Sequence, residues 1–174
     1  MPPILKTKRM KLRPPNEGDY ESIYRLGSSV AVMTYINGGI PQTRSEAKAD
    51  LQKRLRTAHL PLGYWIAETK EDSDFIGWMC LKQLDESPYI EIGYRFLEEY
   101  WGKGLATEGS WAILEYGFEN LKLETIHAIA RETNRASTRV MEKIGMEKQG
   151  YETFYGIKCV VYLINRTTYL KSRG

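Results

Sequence analysis

A mixed α/β fold is what this sequence predicts, on three observations. Runs that alternate apolar and polar residues are interleaved along the chain with runs of helical period. One alternating run, residues 89–96, leads through a glycine-containing turn directly into an apolar-periodic helix and then another strand, which suits a right-handed parallel crossover. Finally, 174 residues at 42% hydrophobic and 11% aromatic are enough for one domain, residues 1–174, to bury a sizeable core.

The elements follow in order. Residues 4–13 read as a strand with Lys and Arg interleaved, ended by Pro14 and Pro15. Asn16 caps a helix, with Asp19 placed to return the capping bond and Tyr20, Ile23 and Tyr24 at helical spacing. Thr43-Arg-Ser-Glu46 has the capping-box pattern and opens a second helix with Ala47, Leu51 and Leu55 on one face. Residues 63–69 and 74–83 form a hairpin across the polar turn at Asp72-Ser73-Asp74. A turn at Asp85-Glu86-Ser87-Pro88 leads into 89–96, where Ile90, Ile92 and Tyr94 alternate with Glu91, Gly93 and Arg95. The next helix carries Leu105, Gly109, Ala112, Ile113 and Tyr116 on one stripe and ends near residues 117–120. A strand at 124–130, a helix from about Asn134 to Ile144 stopped by Gly145, and two strands either side of Gly156 complete the chain.

Composition excludes several functions. A net charge of +3, with Lys and Arg dispersed among 22 acids, disfavours nucleic-acid binding. There is no signal-peptide pattern or membrane-length apolar run, so a cytoplasmic protein without membrane contact is expected. Cys80 and Cys159 fall within strands as buried free thiols, which suits a reducing compartment. His59 and His127 are too isolated for metal binding, and no metal is expected.

Tyr100-Trp-Gly-Lys-Gly-Leu-Ala-Thr-Glu108 is the most informative stretch. Gly102 and Gly104 allow close backbone approach, and the first amides of the following helix, at Leu105, Ala106 and Thr107, lie beside the positive end of its dipole. A pyrophosphate fits such a turn. The dinucleotide fingerprint would need Gly or Ala at position 107, which is Thr107, and a P-loop pattern is absent.

The segment resembles the Gln/Arg-x-x-Gly-x-Gly/Ala turn of the GNAT acetyltransferases, with Gly104 and Ala106 in register and Trp101 where Gln or Arg is usual. Lys11-Leu-Arg-Pro14, Tyr89–Phe96, Asn134-Arg-Ala-Ser137 and Glu142-Lys-Ile-Gly145 extend the resemblance over nearly the whole chain, toward the branch containing the ribosomal-protein N-terminal alanine acetyltransferases. The resemblance implies a splayed, mixed seven-stranded sheet flanked by about four helices, with acetyl-CoA as co-substrate. Its donor site would comprise Phe96, Leu97, Trp101, Gly102, Lys103, Gly104, Leu105, Ala106, Thr107, Asn134 and Ser137, with amides near Phe96 and Leu97 polarising the thioester carbonyl.

The implied activity is direct transfer of acetyl to a primary amine in a ternary complex. An ammonium must lose a proton before it can attack, and Glu91 is either the base that takes it or the ion-pair partner of Arg95 on the same face. Asn134 serves the pantetheine arm, the helix N-cap, or both. Many relatives place a Tyr where this chain has Met141; Ser137 or solvent would protonate the thiolate, with Tyr151 and Tyr155 as substitutes or as core and cleft-wall residues. Lys103 either approaches a phosphate or is solvated. A protein N-terminal α-amine is the leading acceptor and a polyamine or aminoglycoside the runner-up. A non-catalytic acyl-CoA sensor is the alternative of another class, and the chain would act as a monomer or homodimer.

Overall fold

The computed structural model describes residues 1–85 and 87–173; Glu86 of the expected turn and Gly174 lie outside the described residues. Among the described residues, eight strands form one sheet: β1 (Leu5–Lys6), β2 (Met10–Arg13), β3 (Gly63–Thr69), β4 (Phe75–Gln83), β5 (Ile90–Phe96), β6 (Thr125–Ala130), β7 (Glu147–Phe154) and β8 (Ile157–Asn165). Their order is β1-β2-β3-β4-β5-β6-β8-β7. Six helices accompany them: α1 (Tyr20–Gly27), α2 (Val30–Met33), α3 (Arg44–Thr57), α4 (Leu105–Glu115), α5 (Arg135–Lys143) and α6 (Arg166–Arg173).

The expected order of elements holds, with an eighth strand and two further helices. Residues 4–13 break into β1 and β2 because the Thr7 amide donates to the Met10 carbonyl and the Met10 amide to Thr7 Oγ1, both at 2.9 Å, folding the segment back on itself. The single-turn α2 starts where Ser29 Oγ accepts from the Val32 amide at 3.3 Å; its β-branched composition hides it from propensity. Asn165 Oδ1 accepts from the Thr168 amide at 2.8 Å and starts α6, whose Tyr169 is buried, stacked 4.9 Å from Phe118 and bonded to Glu119 at 2.8 Å.

Both expected capping boxes form, at Asn16/Asp19 and Thr43/Glu46. The hairpins β3-β4 and β7-β8 are antiparallel as expected. Helix α4 packs closely on the sheet because Gly109 has no side chain: a Cβ there would strike Met79 Sδ and lie 3.0 Å from Met10 Cε. Beyond Glu115 the helix widens into a π turn over Tyr116–Asn120. Among the described residues, no helix is long and apolar enough to cross a membrane. Cys80 and Cys159 are both buried free thiols.

One junction in the sheet positions everything that follows. Strands β5 and β6 run parallel, and Glu91 opposite His127 is the sole register pair between them among the described residues. Their other neighbours pair over full ladders, six pairs between β6 and β8 and seven between β4 and β5. The sheet therefore opens between β5 and β6, leaving backbone groups of β5 without a strand partner.

Candidate active site

The C-terminal end of β5 builds the first half of the site. After a short turn at Glu98–Tyr100, Gly102 and Gly104 take φ of 70° and 76°, in the left-handed region that L side chains rarely adopt. Gly104 is the N-cap of α4 and no side chain caps that end, so the amides of Leu105, Ala106 and Thr107 face outward without an intrahelical partner. These amides and both glycines line a cleft of about 540 Å³. Asn134 and Ser137 close its far wall; Asn134 Oδ1 accepts from the Ser137 amide at 3.3 Å, so it is also the N-cap of α5. The uncapped helix and the glycine cradle suit the pyrophosphate of a CoA thioester.

The turn is clamped from the N-terminal hairpin. Thr7 Oγ1 donates to Glu108 at 2.6 Å, the Arg9 amide and Nε donate to the same carboxylate at 2.8 and 2.7 Å, and Arg9 Nη1 donates to the Lys103 carbonyl at 2.8 Å. Burial pushes the Glu108 carboxyl up, but the bonds from Thr7 and Arg9 outweigh it and hold the group below its ordinary range.

Two expected donor-site residues stand elsewhere. Leu97 is buried against Leu26 and Val32, and its amide donates to the Ile76 carbonyl at 2.9 Å. That bond also fixes the alternation along β5: the amides of Tyr94 and Phe96 face away from β4, into the opening. The available pair is thus Tyr94 and Phe96 rather than Phe96 and Leu97. Lys103 places its ammonium 5.6 Å from the Tyr100 ring and does not line the cleft, whereas Arg139 and Lys143 of α5 do. Trp101 lines the cleft half exposed, with its indole N–H donating to the Phe96 carbonyl at 2.8 Å.

A second cleft, about 780 Å³, lies on the other side of the sheet opening and receives side chains from α3, β3, β4, β5, β6 and the β7-β8 hairpin. Glu91 lines it. Its partner is not Arg95 but Lys82, directly opposite on β4 and 3.0 Å away. Burial pushes the Glu91 carboxyl up and Lys82 pulls it back, with burial prevailing. Cys80, in the same wall, is pushed up to about 12 by burial, so its thiol stays protonated and is a poor nucleophile at neutral pH.

Tyr94, Arg95 and Ser137 line both clefts. Burial raises the Tyr94 phenol, and the nearby Ser137 opposes that shift. Tyr94 thus brings a phenol beside Ser137, on the helix where Met141 lies buried. Of the other tyrosines considered, Tyr155 is on the wall of the second cleft, whereas Tyr151 is a surface residue bonded to Glu132. His127 is buried with its ring stacked 4.0 Å from Tyr89, and burial lowers its pKa.

Aromatic rings and an arginine form part of the wall of the second cleft. On α3 the third buried position is Arg54 and not Leu55, because the Tyr64 and Trp78 rings take the guanidinium at 4.2 Å each. Both rings come from the strands whose apolar alternation reads as core, so the sequence carried no local mark of this stack.

Comparison with known proteins agrees with this architecture. A model of the acetyltransferase (GNAT) domain matches residues 9–147. An uncharacterized N-acetyltransferase of Bacillus subtilis, YnaD, is 35% identical over 150 residues, 84% of each chain. The crystal structure of a GNAT-family acetyltransferase from Bacillus anthracis superposes with a TM-score of 0.82 at 27% identity, covering 95% of this chain and 99% of that one. RimL, described as a ribosomal L7/L12 alpha-N-protein acetyltransferase in complex with coenzyme A, shares the fold at a TM-score of 0.79 and 15% identity, over 94% and 98% of the two chains.

Proposed function

The chain belongs to the GNAT family of acetyl-CoA-dependent N-acetyltransferases, and from that premise we propose that it transfers acetyl directly to a primary amine seated in the larger cleft, with a protein N-terminal α-amine as the leading acceptor. The observation that carries this reading is the shared wall: Tyr94, Arg95 and Ser137 face both clefts, so a donor held in one meets an acceptor held in the other. Holding two reactants at such a junction is itself a large part of catalysis.

Each residue then has a role. The amides of Leu105, Ala106 and Thr107 bind the anionic part of the donor, with Gly102 and Gly104 admitting it, Trp101 flanking it and Asn134 orienting the arm that follows. Bound acetyl-CoA supplies the activated acetyl thioester. The free amides of Tyr94 and Phe96 point to where negative charge develops on its carbonyl oxygen. In its ionised form Glu91, held 3.0 Å from Lys82, takes the proton of the acceptor ammonium directly or through water. Ser137, backed by the Tyr94 phenol, returns a proton to the departing sulfur. Cys80 stays out of the reaction, which supports direct transfer over an acyl-enzyme.

The N-terminal α-amine reading draws on the sequence blocks shared with that branch and on the named activity of RimL. The test is a thiol-release assay with acetyl-CoA against peptides beginning in Ala, Ser or Met, polyamines and aminoglycosides. Release that depends on a peptide acceptor is expected; release driven by polyamines or aminoglycosides alone would overturn the acceptor assignment.

A further inference from the structure

The larger cleft holds more cationic nitrogen at its floor than its carboxylates satisfy. Arg54 is 3% exposed and sits in the corner of the edge-to-face Tyr64–Trp78 pair; it bonds Asp50 through Nη2 at 2.8 Å, but its Nε and Nη1 are buried without a hydrogen-bond partner. Arg95 lies 5.0 Å from the Trp78 ring, also with a buried and unpartnered Nε, and makes no ion pair among the described residues. Arg131, another lining residue, repeats the pattern at its Nε. The three carboxylates that line the cleft are already committed, Asp50 to Arg54, Glu91 to Lys82 and Glu46 to the Thr43 amide and hydroxyl.

An aromatic face stabilises a guanidinium from above but leaves its in-plane N–H donors unsatisfied. Burying a cation without an anion is costly, and that cost is removed when an oxyanion enters. A guanidinium edge presents two parallel donors, which match a carboxylate or a phosphate. Burial and the neighbouring Arg54 lower the Arg95 pKa to about 10, so it remains charged at neutral pH. Since Arg95 also lines the donor cleft, an anion it holds lies near the point of transfer.

We infer that the acceptor is an amine carrying an oxyanion, carboxylate or phosphate, a few bonds from its amino group, and that Arg95 is the residue that holds it. This rests on the larger cleft being the acceptor site. It applies to a peptide whose second residue is acidic as well as to a small amino acid, and it excludes polycations as preferred substrates.

Matched pairs test it: glycine against glycinamide, an Ala-Asp peptide against Ala-Asn, and phosphoethanolamine against ethanolamine. Each pair is assayed for thiol release from acetyl-CoA and, separately, for binding in the presence of CoA by calorimetry. The charged member of at least one pair should exceed its neutral analogue by about tenfold or more in kcat/KM. Which pair shows it identifies the source of the anion. In Arg95→Gln that advantage should vanish through a higher KM, and Arg95→Lys, which keeps the charge but loses the fork, should fall between. Equal handling of both members by the unaltered protein, or an advantage that survives Arg95→Gln, would overturn the inference while leaving amine acetylation intact. Arg95-dependent binding of charged members without transfer to any amine would support the anion site and overturn the transferase reading instead. No selective binding and no transfer would overturn both.

Discussion

The glycine-turn cleft, proposed for the donor, and the larger cleft, proposed for the acceptor, meet at one break in the sheet, yet they are made of different material. The donor cleft is largely backbone: two left-handed glycines, an uncapped helix end and the edge amides of β5. The acceptor cleft is side chains, with Arg54 in the corner of the Tyr64–Trp78 pair, a Lys82–Glu91 pair and the Arg95 guanidinium carried by separate elements. Backbone recognition depends on local conformation and tolerates changes of side chain, which is why Trp101 can stand where Gln or Arg is usual. Side-chain recognition depends on which strands and helices are brought together, so it can change the acceptor without changing the fold.

Substitutions on the two sides should therefore fail differently. On the acceptor side, Glu91→Gln should lower kcat/KM on the order of a hundredfold with acetyl-CoA affinity unchanged, read by steady-state thiol release. Loss of acetyl-CoA affinity instead would blur the division. The Glu91 carboxyl is raised in the folded protein and must be ionised to act, so activity should fall as pH drops through a value above the ordinary carboxylate of about 4.3. Lys82→Met removes the group that pulls that value down, and the acid limb of kcat/KM should move to higher pH; an unmoved limb would remove Glu91 from the role of base.

On the donor side, Gly104→Val should weaken acetyl-CoA binding about tenfold or more, because a β-branched residue at φ 76° is strained and its side chain would occupy the cradle. Calorimetry showing ordinary affinity would displace the cradle from this turn. Smaller still, Tyr94→Phe should reduce kcat by about threefold to tenfold with both KM values near those of the parent, since Ser137 and solvent remain to return the proton.

The smallest effect concerns the clamp. Glu108→Gln should cost about 1 kcal/mol of stability in denaturant unfolding at neutral pH, through weakened bonds from Thr7 and Arg9. The folded carboxyl titrates lower than the unfolded one, so this contribution is present above the unfolded pKa and is lost as pH falls through the folded value. The difference between the two proteins should accordingly shrink in acid.

The same contrast explains what could be read from sequence. Gly102, Gly104, Asn134 and both capping boxes act within a few residues of themselves, so spacing along the chain revealed them. The Glu91 partner depends on the β4-β5 register, which puts Lys82 opposite it; proximity on one strand suggested Arg95 instead. Arg54 is hidden on a helix whose apolar stripe points to Leu55, and it is buried only because Tyr64 and Trp78 meet it from two other strands. The amide of Leu97 looked available from its place before the glycine turn, and a bond to Ile76 on the neighbouring strand removes it. The elements and the glycine turn were legible because their causes are local, whereas the side chains that line the larger cleft waited on tertiary register.

Direct transfer between the two clefts is the central claim, and an initial-rate study with acetyl-CoA and the best acceptor from the thiol-release assay tests it most directly. The account predicts double-reciprocal lines that intersect and a protein that stays unacetylated, by mass, when incubated with acetyl-CoA alone. Parallel lines together with an acetylated Cys80 would contradict it.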